Sequence, residues 1–141
     1  MKIEVLTAVE QIRANPSMYF DRGVPTNGQL LAAVLTDLSE HEGLYAEIIQ
    51  EGGFTFVGAN VDWLKTNRAP FEELFVRFVT SNVRAPNTFR AEVLLAAMCD
   101  GILVLGEGTE YSKGLTLKGV PASIARATQS KTRSLIWKFS R

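Results

Sequence analysis

The chain has 141 residues, 46% of them hydrophobic, and its 15 acidic and 15 basic residues give a formal charge of zero. This suits one globular domain spanning residues 1–141 with a sizeable core, and it excludes a disordered or fibrous chain. No apolar run reaches the ~18 residues of a membrane helix, and the longest, 93–106, is broken by Asp100-Gly101.

Residues 5–14 read as a short helix with Val5, Val9 and Ile12 on one face. Asn15-Pro16 ends it, because proline disfavours helix in the residue before it. A Gly/Pro loop at 21–27 leads to a second helix over 28–42, whose stripe is Leu30, Leu31, Val34, Leu35 and Leu38, with Gly43 as the stop. Residues 45–49 and 54–57 flank Gly52-Gly53 and predict a β-hairpin. A loop at 60–69 follows. Pro70 opens a predicted helix with Phe71, Leu74, Phe75, Phe78 and Val79 as its stripe. After a polar break at 81–87, another helix is predicted over 88–98. Four strands are predicted at 102–105, 110–118, 122–128 and 135–139, with Glu107-Gly108 turning between the first two. The expected architecture is α+β: a two-layer sandwich with helices on one face of a mostly antiparallel sheet.

Cys99 and His41 are the sole residues of their types. Cys99 lies in an apolar run and is expected as a buried, inert thiol. His41, between Glu40 and Glu42, is expected at the solvated surface. Disulfide, zinc and triad chemistry lack the partners they need. No secretory signal is visible, so a cytoplasmic protein is expected. Charge is split along the chain. All 15 acids lie at or before Glu110, whereas Lys113, Lys118, Arg126, Lys131, Arg133, Lys138 and Arg141 follow with no carboxylate. The favoured reading is a basic sheet face paired with acids elsewhere, with weak, salt-sensitive nucleic-acid binding at most.

The segment Val9-Glu10-Gln11-Ile12-Arg13-Ala14-Asn15-Pro16-Ser17-Met18-Tyr19-Phe20 resembles the opening of the N-terminal ATPase domain of the B subunits of DNA gyrase and topoisomerase IV. That family has a similar helix followed by Arg-x-x-Pro-Gly-Met-Tyr-Ile; Ser17 stands at the glycine. The resemblance continues in order. Residues 70–79 are similar to the helix after the family's Asp-x-Gly loop, and 91–98 to the helix after its ATP lid. Residues 102–121 resemble its strand–Gly–Tyr–strand–Gly–x–Pro passage, and 132–139 its Thr-Gly-Thr-x-Ile-x-Phe strand. The implied fold is that of the GHKL ATPases.

The resemblance also implies where ATP chemistry should sit. A glutamate on the second helix would act as general base, and an asparagine four residues on, sharing its helix face, would hold magnesium. Those positions fall on Leu35 or Thr36 and on Ser39 or Glu40, and no Glu-x-x-x-Asn pair exists in either register. The adenine-reading Asp-x-Gly-x-Gly falls near Gly58, Asp62 and Trp63 with no Asp-x-Gly, and Trp63 is too bulky to let a nucleotide approach. The phosphate-wrapping lid falls on 80–90, which has no glycine and contains Pro86. Thr132 and Ser134 match two hydroxyl positions of the last strand. The expectation is a non-catalytic domain with no cofactor or metal, binding a protein partner such as a topoisomerase subunit or itself. The alternative is a small-molecule or anion binder whose rebuilt pocket uses Arg84, Arg90 or Lys131. In the closed-pocket expectation, Trp63 or a neighbour fills the former site together with residues 81–89.

Overall fold

The fold was obtained as a computed structural model, which describes residues 6–80 and 89–140. Thr7 caps helix α1, Ala8–Ala14, by accepting a hydrogen bond from the Glu10 amide, and Asn15 closes it. Thr26 does the same for α2, Asn27–Leu38, through the Gln29 amide. This helix ends four residues earlier than the pattern predicts. The Ser39 hydroxyl donates to the Thr36 carbonyl, and such local bonding competes with continuing the helix.

Strands β1, Ala46–Glu51, and β2, Phe54–Ala59, form the expected hairpin. Gly52 and Gly53 both have positive φ, 59° and 83°, as a two-residue turn matched to strand twist requires. The predicted helix at 70–79 is a short 3-10 turn, Phe71–Phe75, that stops at Val76. Aromatic residues give up side-chain freedom in a helix, and burial of Leu74, Phe75 and Val79 serves the core without one. Helix α3 is Glu92–Met98; residues 81–88, where the polar break and the start of that predicted helix fall, lie outside the described residues.

Strands β3, Gly101–Gly106, and β4, Gly108–Lys113, form a second hairpin, and β4 ends five residues short of the predicted strand. The strand expected over 122–128 is instead a helix, α4, Ala122–Ala127. Pro121 stands immediately before it, and three of its six residues are alanine, the best helix former. Strand β5 is Arg133–Lys138.

The five strands form one sheet, ordered β1-β2-β5-β3-β4, with every pair antiparallel. Strand β5 is central, with Leu135 opposite both Val57 and Val104. Alternation along the strands separates two cores. Val57, Ala59, Ile102, Val104, Leu135 and Trp137 pack with Ile12, Leu30, Val34 and α3. Phe56, Leu103, Leu105 and Ile136 pack on the other face with Val120 and Ile124. Three of the four α-helices among the described residues thus form the expected helical layer, while α4 covers the opposite face. No helix among the described residues is long and apolar enough to cross a membrane.

Candidate functional site

The positions that the gyrase B resemblance assigns to ATP chemistry are scattered by the fold. On α2, Leu35 is half-buried against the larger core, while Thr36, Ser39 and Glu40 are exposed. The Thr36 hydroxyl donates to the Ala32 carbonyl at 2.8 Å. Gly58 and Ser134 sit opposite each other on β2 and β5, on the face that α4 covers. Both are buried, and the Ser134 hydroxyl has no hydrogen-bond partner among the described residues. The space beside Gly58 is taken by the Phe56 ring and the Lys131 chain. Thr132 is exposed, and its hydroxyl donates to the Asn60 carbonyl at 3.2 Å. Asp62 and Trp63 remain neighbours in the loop after β2, but Trp63 is 0% exposed in the larger core.

A single guanidinium joins α2, that loop and α3. Arg90 Nη2 donates to the Trp63 carbonyl at 2.9 Å and to Glu92 Oε1 at 2.7 Å. Its Nε lies 3.6 Å from Asp37 Oδ2, and that oxygen also accepts the Ala91 amide at 2.8 Å. Arg90, Asp37 and Glu92 are all buried. Burial alone would lower the Arg90 pKa, but the charges of Glu92, Asp37 and Glu40 outweigh it and raise the value, so the side chain stays ionised. The Arg90 amide also donates to the Val79 carbonyl at 2.8 Å, which ties the base of the 80–89 segment to the same hub. Asp37 escaped the sequence reading although a signal was present. It follows Val34 by three residues and precedes Leu38 on the apolar stripe of α2, where a carboxylate demands a buried partner.

A second arginine clamps the sheet end. Arg133 donates to both Asp62 oxygens, from Nε at 2.9 Å and Nη2 at 2.7 Å. Its Nη1 donates to Glu110, and the Phe71 ring lies 5.2 Å from its guanidinium carbon. Gly106 permits this packing, since a Cβ there would meet the Glu110 carboxylate and would lie 3.0 Å from Arg133 Nη1. Burial raises the Asp62 carboxyl. The hydrogen bonds and charge of Arg133, with the Leu64 and Lys65 amides, outweigh that and hold it below the usual aspartate value. Arg133 is therefore a buried cation paired with acids from elsewhere in the chain, in keeping with the favoured reading of the basic C-terminal segment. A cleft of about 240 Å³ opens beside the clamp.

Two of the three cations expected to meet an anion are already engaged. Arg90 serves the buried hub. Lys131 Nζ lies 3.0 Å from Glu47 Oε1 and donates to the Ser130 hydroxyl. Arg84 lies outside the described residues. Cys99 is half-buried rather than fully buried, and His41 is half-buried rather than freely solvated. Among the described residues, no cluster of three or more His, Cys, Asp or Glu side chains is placed to hold a metal ion. The motif residue Arg13 caps α3 from outside, donating from Nε to the Ala97 carbonyl at 2.8 Å. Tyr19 of the same motif stacks on Phe78, with ring centroids 5.9 Å apart. Comparison with protein-family models, curated proteins and solved structures finds no match for this chain.

Proposed function

We propose that the chain is a non-catalytic, gyrase-B-like domain of the GHKL ATPase type that acts in the cytoplasm as a protein-binding or regulatory module. The observation that carries this reading is the hub around Arg90. In the gyrase B resemblance, nucleotide would lie between the second helix, the loop after the second strand and the segment before the next helix. Here those elements are tied to one another by the Arg90 guanidinium through Asp37, the Trp63 carbonyl and Glu92. Trp63 contributes a wholly buried indole beside them. This hub directs the Nε and Nη2 hydrogen bonds of Arg90 inward, to Glu92 and the Trp63 carbonyl. The α2 positions for a base and a magnesium ligand carry half-buried Leu35 and exposed Thr36, Ser39 and Glu40, and the Thr36 and Ser39 hydroxyls bond to carbonyls of their own helix. General-base and phosphate-binding groups each contribute orders of magnitude to rate, and this chain supplies neither at those positions.

The anion-binder alternative loses ground because Arg90 and Lys131 are already paired. Isothermal titration calorimetry with ATP and magnesium tests the proposal. The expected result is no heat of binding and no hydrolysis above background. Micromolar affinity for ATP overturns it.

A further inference from the structure

We propose that the chain pairs with a second copy of itself along the free edge of β1, joining two five-stranded sheets into one. This rests on the protein-binding reading and names its surface and its partner.

Strand β1 ends the sheet on one side and β4 on the other. The two edges differ. The pairing of β4 with β3 shifts register between Val104 and Leu105, and β4 carries Glu110 and Lys113. A bulge and edge charges of this kind discourage further pairing. Strand β1 pairs with β2 along its whole length of six residues without a register shift, and it contains no proline, lysine or arginine. Its Ile48 is 43% exposed, and Tyr45, one residue before the strand, is 69% exposed.

The hairpin register fixes which backbone groups are free. Tyr45 accepts the Asn60 amide, and Glu51 stands opposite Phe54 across the two-residue turn. Residues 45, 47, 49 and 51 therefore bond to β2, while Ala46, Ile48 and Gln50 turn their N–H and C=O groups outward. Among the described residues no hydrogen bond reaches these outward groups.

The acids then choose how the second copy aligns. Two-fold antiparallel pairing must match outward residues with outward residues, so the registers that overlap most of β1 centre on Glu47, Ile48 or Ile49. Centred on Glu47, the pairing sets Glu47 against its own copy. Centred on Ile49, it sets Glu47 against the partner's Glu51. Both place like charges directly opposite, which is destabilising. Centred on Ile48, it sets Ile48 against Ile48, Ala46 against Gln50, Glu47 against Ile49 and Glu51 against Tyr45. No acid then faces an acid, and both groups of every outward residue find partners. The exposed isoleucines meet on the side of the larger core, where Ile48 lies opposite Val57. On the other side, Lys131 Nζ lies 3.0 Å from Glu47 in each copy, which eases the diagonal approach of the two Glu47 side chains. The edge is self-complementary in this one register.

Sedimentation equilibrium and amide hydrogen exchange on the full chain test this. One strand pair is smaller than a standard interface of ~800 Å² per partner, so the dimer should be weak, and loading spans roughly 10 μM to 1 mM. The parent should dimerise within that range. The Ala46, Ile48 and Gln50 amides should exchange freely in dilute chain and at least about tenfold more slowly in the dimer. Ile48→Lys puts a charge on the edge, and Ile48→Pro removes an N–H that β2 does not use. Both should abolish the dimer, with circular dichroism showing a folded monomer. A synthetic peptide of residues 44–52 should protect the same amides in dilute chain, and a scrambled version should not. A parent that stays monomeric overturns the inference, as does a dimer that leaves the three amides unprotected or survives both variants. Equal protection by the scrambled peptide overturns the second copy as occupant and makes β1 an acceptor of foreign strands. These outcomes leave the protein-binding reading standing; ATP binding in the calorimetry counts against that reading and not against strand pairing.

Discussion

Cutting Trp63 back to alanine probes the closed centre directly. The side chain is wholly buried, and an aromatic of this size removes about 200 Å² from water. At ~25 cal/mol per Å² that is worth roughly 5 kcal/mol. One cost sits on the other side: the indole Nε1 has no hydrogen-bond partner among the described residues, and a buried orphan donor costs about 1–3 kcal/mol. Truncation removes that penalty with the ring. The net loss for Trp63→Ala is therefore about 3 kcal/mol, at the lower end of the 3–5 kcal/mol range of large aromatic truncations. Trp63→Phe is the control. It keeps most of the apolar volume and deletes the orphan N–H, so it should cost less than about 1.5 kcal/mol. Urea unfolding followed by far-UV circular dichroism measures both, since the substitution removes one of two tryptophans and complicates fluorescence. The midpoint should fall with the slope unchanged. An alanine variant within about 1 kcal/mol of the parent refutes the reasoning and places Trp63 outside the cooperative core.

Replacing Arg90 with methionine should destabilise the fold by about 3–5 kcal/mol, because it strands the buried carboxylates of Asp37 and Glu92. The triple change Arg90→Met/Asp37→Leu/Glu92→Leu should recover much of that in the same urea assay; failure of any recovery counts against the buried-charge argument. Asp62 gives a pH prediction. Its folded pKa lies below the unfolded value, so its contribution is present above an ordinary aspartate pKa of about 4. That contribution is lost as pH falls through the lower folded value. The melting temperature of the parent should drop on acidification through this window, and Asp62→Asn should flatten that part of the profile; an unchanged profile would contradict the clamp.

The sequence disclosed elements whose signals were local. The Gly52-Gly53 hairpin, the end of α1 at Asn15-Pro16 and the strands at 102–105 and 135–139 all follow from periodicity and turn chemistry. The segment 122–128 misled because an alternating reading of Ala122, Ile124 and Arg126 fits a strand as well as a helix. Burial of Ile124 alone, beneath alanines, decided for the helix. That one reversal also moved an element to the far side of the sheet. The site was legible only as missing chemistry. By sequence Arg90 reads as a candidate anion ligand and Arg133 as part of a basic sheet face paired with unnamed acids, because pairing with Asp37 across 53 positions or Asp62 across 71 leaves no local trace of which acid it is. Asp37 alone carried a warning, as a carboxylate on an apolar helical stripe. The fold agrees with the expected α+β class, and the gyrase B likeness stands on the sequence motifs.

The central place of β5 has a consequence for how the chain is made. Each hairpin, β1–β2 and β3–β4, closes on neighbours a few residues away and can form as soon as it leaves the ribosome. Neither can join the other until residues 133–138 arrive, because β5 alone lies between them. During that wait, β2 and β3 each present an apolar, unpaired edge, the kind of surface that recruits foreign strands. The Arg90 hub and the helix caps can assemble early, yet the sheet and the Arg133 clamp wait for its latest-synthesised strand. Translation speed through 106–138, rather than through the first hairpin, sets how long the nascent protein is exposed to aggregation.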